Sequence, residues 1–126
     1  MSNKPIKIAL LGLGTVGTGV YKLLSMRADE MPQIAGAPIE ISHILVRNAS
    51  KPRSGVETAL LTDRWEDILS DPEVSIVIEL MGGIEPAHTY IKQALEANKN
   101  VVTANKDLIA VHGGELLDLA KEHHCD

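Results

Sequence analysis

The sequence predicts an α/β domain: a doubly wound parallel sheet with helices on both faces, in three layers. Three observations carry that reading. Apolar runs alternate with helix-like segments in the order βαβ(β)αβαβα, with short connections. The fourth run is nearly continuous, as a central strand buried on both faces requires. Of the 126 residues, 44% are hydrophobic but only 2% are aromatic and none is Phe. The core is therefore aliphatic, which suits helices packed on a parallel sheet. That length supports one domain with a real core and not two.

The elements follow in order. Residues 6–11 form the first strand, rich in Ile, Leu and Ala. Glycines follow at once, and Val16, Val20, Leu23 and Leu24 then fall on one helical face. Two prolines and a glycine make residues 27–38 a loop. A second strand covers 39–46, a polar loop 48–55, and a short third strand 59–61. Asp63, with Glu66 three positions on, has the form of a capping box. The short helix behind it carries Trp65, Ile68 and Leu69 and stops at Asp71-Pro72. The fourth strand runs over 74–80 and breaks at Gly82-Gly83. Pro86 suits the first position of a helix whose buried face is Ala87, Tyr90, Ile91, Ala94 and Leu95. Asn98 ends that helix. A fifth strand covers 101–104, and a last helix, roughly 114–123, buries Leu116, Leu117, Leu119 and Ala120.

Composition also excludes functions. The formal net charge is −5 and no basic stripe is present, so a nucleic-acid partner is not expected. No apolar run reaches membrane-spanning length. Residues 1–5 are short and polar and do not read as a secretory signal. The single cysteine, Cys125, permits no intramolecular disulfide and offers no metal set. The five histidines, His43, His88, His112, His123 and His124, show no metal-ligand spacing, so no metal is expected. Glu115, Asp118, Lys121 and Glu122 read as a solvated helix face. The setting these features predict is soluble, reducing and cytoplasmic.

Chemistry concentrates at the strand ends. Gly12-Leu13-Gly14-Thr15-Val16-Gly17 has the form G-x-G-x-x-G, with an apolar strand before it and an amphipathic helix opening inside it. Alone that string is weak; in this context it predicts a Rossmann-type, dinucleotide-binding fold. Gly12 permits the tight turn, Gly14 lets a pyrophosphate approach the backbone, and Gly17 lets the helix pack close to the strand. Free N–H groups at the helix start then face the anionic pyrophosphate. Thr15 is placed to cap the helix or to bond a phosphate oxygen.

NAD sites usually carry a carboxylate at the tip of the second strand. Here the strand ends in Arg47, where a guanidinium meets the 2′-phosphate of NADP, with Lys51 and Arg53 close behind. NADP is therefore the expected cofactor, with NAD use also open because the spacing from Gly17 to Arg47 is wide. Gly82 and Gly83 let backbone approach the ribose or nicotinamide. Thr103, Asn105 and Lys106 cluster directly after a buried strand, and Lys106 suits a carboxylate, a phosphate or a reacting oxygen. Glu79 either accepts hydrogen bonds at the crevice or simply emerges at the strand tip; no catalytic role is assigned to it.

The turn at 12–17, the segment Glu79-Leu80-Met81-Gly82-Gly83 and above all Val101-Val102-Thr103-Ala104-Asn105-Lys106 resemble homoserine dehydrogenase. The likeness runs over the whole chain. It implies NAD(P)-dependent interconversion of L-homoserine and L-aspartate 4-semialdehyde, on the route to threonine and methionine. It further implies that Leu13, Thr15 and Val16 with the glycines hold the pyrophosphate. Arg47 then lies near the adenosine ribose, Thr103 near the nicotinamide ribose, and Lys106 near the cofactor and the reacting centre as a catalytic lysine. Members of the family continue into a catalytic and dimerisation domain that supplies a second lysine and the acidic residues for homoserine. Residues 1–126 thus read as a cofactor domain that binds nucleotide without turnover: a homodimer when whole, a monomer as this part.

Two rival readings stand beside it. A glucose–fructose oxidoreductase-type dehydrogenase also has a proline-led helix after the fourth strand, but usually Glu-Lys-Pro where this chain has Asn105-Lys106-Asp107. A non-enzymatic nucleotide sensor suits the length but has no need of the polar cluster at 103–106.

Overall fold

The structure is a computed structural model that describes residues 6–13, 19, 21–22, 39–47, 56, 58–103 and 105–125. Five strands form one sheet: β1 (Ile6–Leu11), β2 (Ile39–Leu45), β3 (Leu61–Thr62), β4 (Val74–Glu79) and β5 (Asn100–Thr103). Their spatial order is β3-β2-β1-β4-β5, and every neighbouring pair is parallel. The chain moves outward from β1 in one direction through β2 and β3, then in the other through β4 and β5. The topological switch point therefore lies between β1 and β4.

The sequence of β1 explains its central place. Successive side chains point to opposite faces, and Ile8, Ala9, Leu10 and Leu11 are all buried. Ile8 and Leu10 pack with Tyr21, Ile44 and Val46 on one face; Ala9 and Leu11 pack with Leu45, Trp65, Ile68, Val77 and Ala94 on the other. Tyr21 is helical and covers the first face, whereas α1 (Trp65–Leu69) and α2 (Ala87–Glu96) cover the second. The predicted three-layer arrangement is thus present. Each wholly buried Leu or Ile contributes roughly 1.5–3 kcal/mol, so the rigid part of the molecule is the centre of the sheet. The long α3 (Lys106–Glu122) joins α2 through Ala87, Ile91, Leu95, Leu108, Leu116 and Ala120.

Several boundaries depart from the sequence reading. β2 ends at Leu45 and β4 at Glu79, each one residue short of expectation. Of the strand expected at 59–61 only Leu61 is extended: Thr58–Leu60 form a 3₁₀ turn, and β3 is just Leu61 and Thr62, pairing with Ile44 and Leu45. Asp63 does not cap α1. Arg64 holds the cap position without a side-chain bond, while Thr62 Oγ1 accepts from Arg64 N (3.1 Å) and donates to Asp67 Oδ2 (2.6 Å). Pro86 is the residue before α2 rather than its first. β5 begins one residue early, at Asn100, and ends at Thr103. The largest departure is α3, which starts at Lys106 and not near Gly114 because Asn105 caps it, its side chain accepting from Leu108 N. Leu117, expected inside, is 65% exposed. Leu116 and Ala120 share the face toward α2, and Leu117 is turned about 100° from Leu116, toward solvent. Asn98 does end α2, adopting a left-handed φ of 62°.

At the N-terminal ends of β4 and β5, Lys99 is buried. Its ammonium donates to the carbonyls of Asp71 (2.7 Å) and Val74 (3.0 Å). Burial pushes its pKa down, partly opposed by the Asp71 carboxylate. Among the described residues no helix is long and apolar enough to cross a membrane.

Candidate cofactor site at the strand tips

A cleft of about 480 Å³ opens over the C-terminal ends of β3, β2, β1 and β4, where doubly wound sheets bind ligands. Gly12 and Leu13 enter it from β1. Leu45, Val46 and Arg47 come from β2, and Asp63 from just beyond β3. Leu80, Met81 and Gly82 follow β4, and Glu85, Pro86 and Tyr90 bring in the start of α2.

Gly12 is fixed on three sides. Its N–H donates to Leu45 O at 2.9 Å, and its φ is +104°. A Cβ there would lie 3.2 Å from Met81 Cγ and 3.3 Å from Leu80 O. The handedness favours glycine and the space is tight for any side chain, and the bare backbone leaves room for a bulky anion.

The β4 tip is built around Glu79, which is 1% exposed. Its Oε2 accepts from Met81 N (2.7 Å) and Gly82 N (3.0 Å), and its Oε1 accepts from Thr103 Oγ1 (2.6 Å). Thr103 Oγ1 in turn accepts from Asn105 N (3.0 Å), and Asn105 Nδ2 donates to Gly83 O. A buried carboxylate is costly unless its lone pairs are filled; here three donors fill them, and in doing so they join β4, β5 and α3. Gly82 and Gly83 both have positive φ (75° and 73°), which turns the chain back over the carboxylate. Beside this frame, Glu85 accepts from Thr89 Oγ1 (2.8 Å) and Thr89 N (3.1 Å), and those bonds hold its carboxyl below the usual range.

The family model described as "Homoserine dehydrogenase, NAD binding domain" matches residues 12–126. The chain belongs to this family. It is 45% identical over 124 residues to homoserine dehydrogenase of Bacillus subtilis, covering 98% of this chain and 29% of that protein. With the Lactococcus lactis enzyme the identity is 48% over 122 residues, covering 94% and 28%. The crystal structure of a homoserine dehydrogenase from Thiobacillus denitrificans superposes with a TM-score of 0.89 at 42% identity, over 97% of this chain and 28% of that one. That of the S. aureus enzyme at pH 7.0 gives 0.91 at 44%, over 98% and 32%. The chain spans less than a third of the length of these relatives. The matches favour the homoserine dehydrogenase reading over the glucose–fructose oxidoreductase type.

Set against this homoserine dehydrogenase fold, the expected site residues divide into three groups. Gly12, Leu13, Arg47 and Gly82 come together in the cleft. Gly14, Thr15, Val16 and Gly17 lie outside the described residues, as do Ala104, Lys51, Arg53 and the segment 1–5. Gly83, Thr103 and Lys106 sit around the β4 and β5 tips without lining the cleft, Lys106 exposed as the first residue of α3. Asp63, Glu85, Pro86 and Tyr90 line the cleft without having been singled out as site residues. Their shared location follows from strand order, which no local motif carries. Glu79 is the frame of the tip, the first of its two sequence readings.

Proposed function

We propose that this chain holds NADP(H) as the cofactor part of an enzyme that interconverts L-homoserine and L-aspartate 4-semialdehyde. The observation that carries it is the family match over residues 12–126 on a chain whose cleft lies over the sheet's switch point. The cofactor supplies hydride transfer; the protein's share is to bind and orient it. Gly12 and Leu13, with Gly14, Thr15, Val16 and Gly17, would cradle the pyrophosphate on bare backbone. Arg47 would meet the 2′-phosphate. Gly82 and Gly83 would allow close approach at the β4 tip, and Thr103 would stand near the nicotinamide ribose. Lys106 is the residue we assign to the reacting centre as a catalytic group.

Asp63 favours a second reading for the nucleotide. It lines the cleft at the β3 tip, in the same region as Arg47, and offers a carboxylate to a ribose 2′-hydroxyl. Use of NAD(H) alongside NADP(H) follows from having both groups there. The amino-acid substrate needs acidic groups from another part of the protein, so the 126-residue chain binds nucleotide without turnover. We further assign the whole protein to the cytoplasm as a homodimer, and this part alone to a monomer.

Calorimetric titration with NADPH and NADH tests the reading. Loss of one charge-assisted contact is worth about 1.5–3 kcal/mol, or roughly tenfold and more in affinity. Arg47→Ala should therefore weaken NADPH by at least about tenfold and leave NADH nearly unchanged. Equal binding of both cofactors, unaltered in the variant, removes the NADP assignment. No binding of either by the folded chain overturns the cofactor role of this cleft. Homoserine oxidation by the 126-residue chain overturns the statement that it lacks turnover.

A further inference from the structure

Away from the cofactor cleft, the α2–α3 interface carries a second polar cluster. His88 is the second residue of α2; His112 and Glu115 lie three apart on one face of α3. One ligand atom from each falls within 4.8 Å of the others. His88 Nε2 is 2.6 Å and His112 Nδ1 is 3.6 Å from the same oxygen, Glu115 Oε1. We propose that His88, His112 and Glu115 form a binding site for one divalent transition-metal ion of the zinc type.

Donor chemistry supports this first. Two imidazole nitrogens and one carboxylate oxygen are a common protein set for Zn²⁺, with water free to take a fourth position. Support from behind comes next. Metal-binding histidines usually give their other ring N–H to a carboxylate, a backbone carbonyl or water. His88 Nδ1 lies 3.3 Å from Glu85 Oε2, and Glu85 is itself held by both bonds from Thr89 through its other oxygen. In the tautomer with Nδ1–H directed at Glu85, Nε2 is the atom left to ligate beside Glu115 Oε1. Without a metal the 2.6 Å contact is a hydrogen bond through a proton on Nε2, which the flanking Glu115 and Glu85 favour; a divalent cation would displace that proton and take its place.

Spacing is the third support. Bonds of 2.0–2.1 Å at a tetrahedral centre put ligand atoms about 3.3 Å apart. The 3.6 Å pair is already near that value, and the 2.6 Å pair has to open by less than about 1 Å, within reach of the half-exposed Glu115. His112 has to turn. Its ring stacks on His88 with centroids 3.7 Å apart and planes 7° from parallel, so the in-plane lone pairs do not yet converge. Its side chain is 28% exposed, which leaves space for the rotation. Both helices are anchored below the cluster by Ile91, Leu95 and Leu116, so only side chains need move.

The test is calorimetric titration of the 126-residue chain with ZnCl₂, repeated on His112→Ala, Glu115→Gln and the double variant His123→Ala/His124→Ala. The expected result is one equivalent bound, at least tenfold weaker in the first two variants and unchanged in the third. Glu115→Gln keeps the shape of a half-exposed side chain and so keeps the fold. Co²⁺ in place of zinc should give tetrahedral d–d absorption that disappears in the same two variants. No saturable uptake overturns the proposal and leaves the cluster an ordinary ion-paired rim. Binding that survives in both His112→Ala and Glu115→Gln places the metal elsewhere and overturns it equally.

Discussion

The two sides of the cofactor cleft are built on opposite plans. At the β4 and β5 tips the buried carboxylate has internal partners: Glu79 is filled by Met81 N, Gly82 N and Thr103 Oγ1, and Asn105 closes the circuit onto Gly83. At the β2 and β3 tips Arg47 and Asp63 are exposed, and neither forms an ion pair among the described residues. The first side holds its shape without any ligand, and the second leaves its charges to be completed by one. Satisfied buried networks rigidify; exposed charges add little to stability but much to recognition. If Arg47 and Asp63 set nucleotide choice as we propose, stability and selectivity fall to different strand ends of the same sheet, and substitution should separate them.

The largest effect should come from Gly12, where the two sides meet. Gly12→Val combines a left-handed penalty of roughly 1–2 kcal/mol with overpacking of roughly 1–3 kcal/mol against Leu80 and Met81. Urea unfolding should show a loss of about 2–5 kcal/mol; a loss under about 1 kcal/mol would mean that the turn relaxes freely. Next, Glu79→Leu leaves three donors without an acceptor and should cost about 2–4 kcal/mol, with Glu79→Gln costing clearly less. Should the two variants prove equally mild, the network is not what holds the tip.

A probe at the far ends of the same strands sharpens the contrast. Lys99→Met removes the donor to Asp71 O and Val74 O and should cost about 1–3 kcal/mol. The sign of its pH dependence is fixed. Burial lowers the folded pKa, so over the window from that lowered value up to the ordinary 10.5 the unfolded chain binds more protons. Stability owed to Lys99 therefore rises with pH through the window and is lost as pH falls through the folded value. The wild-type-minus-variant difference in urea midpoint should grow with pH there; a difference that shrinks contradicts the burial. The smallest stability effect belongs to Arg47→Ala, within about 0.5 kcal/mol, although that variant should alter nucleotide choice most.

How much of this was readable beforehand follows from locality. Strands β1, β2, β4 and β5 and the buried faces of α1 and α2 were legible because their patterns are continuous in sequence, whereas the two-residue β3 was not; Trp65, Ile68, Ala87, Ile91, Ala94 and Leu95 are all buried as their spacing implies. The start of α3 was not, because Gly113-Gly114 reads as a break. The helix runs through both glycines because Asn105 caps it and Leu108 buries its first turn. Gly12, Leu13, Arg47 and Gly82 could be placed at strand ends from a motif and a strand boundary. Asp63 and Tyr90 in the cleft, and the convergence of His88 with His112, depend on which strand lies next to which and how α2 meets α3. A single sequence does not display those facts. The choice between the two readings of Glu79 likewise waited on Thr103, which reaches it from the neighbouring strand.

The chain contains a single tryptophan. Trp65 stacks on Tyr90 with ring centroids 4.7 Å apart and donates its indole N–H to Gln93 Oε1. Tyr90 lines the cleft, so the sole indole chromophore stands one ring behind the place where a nucleotide would lie. Its emission is an unlabelled optical gauge of that cleft. Quenching or energy transfer to a reduced nicotinamide would report occupancy in real time, without a second tryptophan to blur the signal.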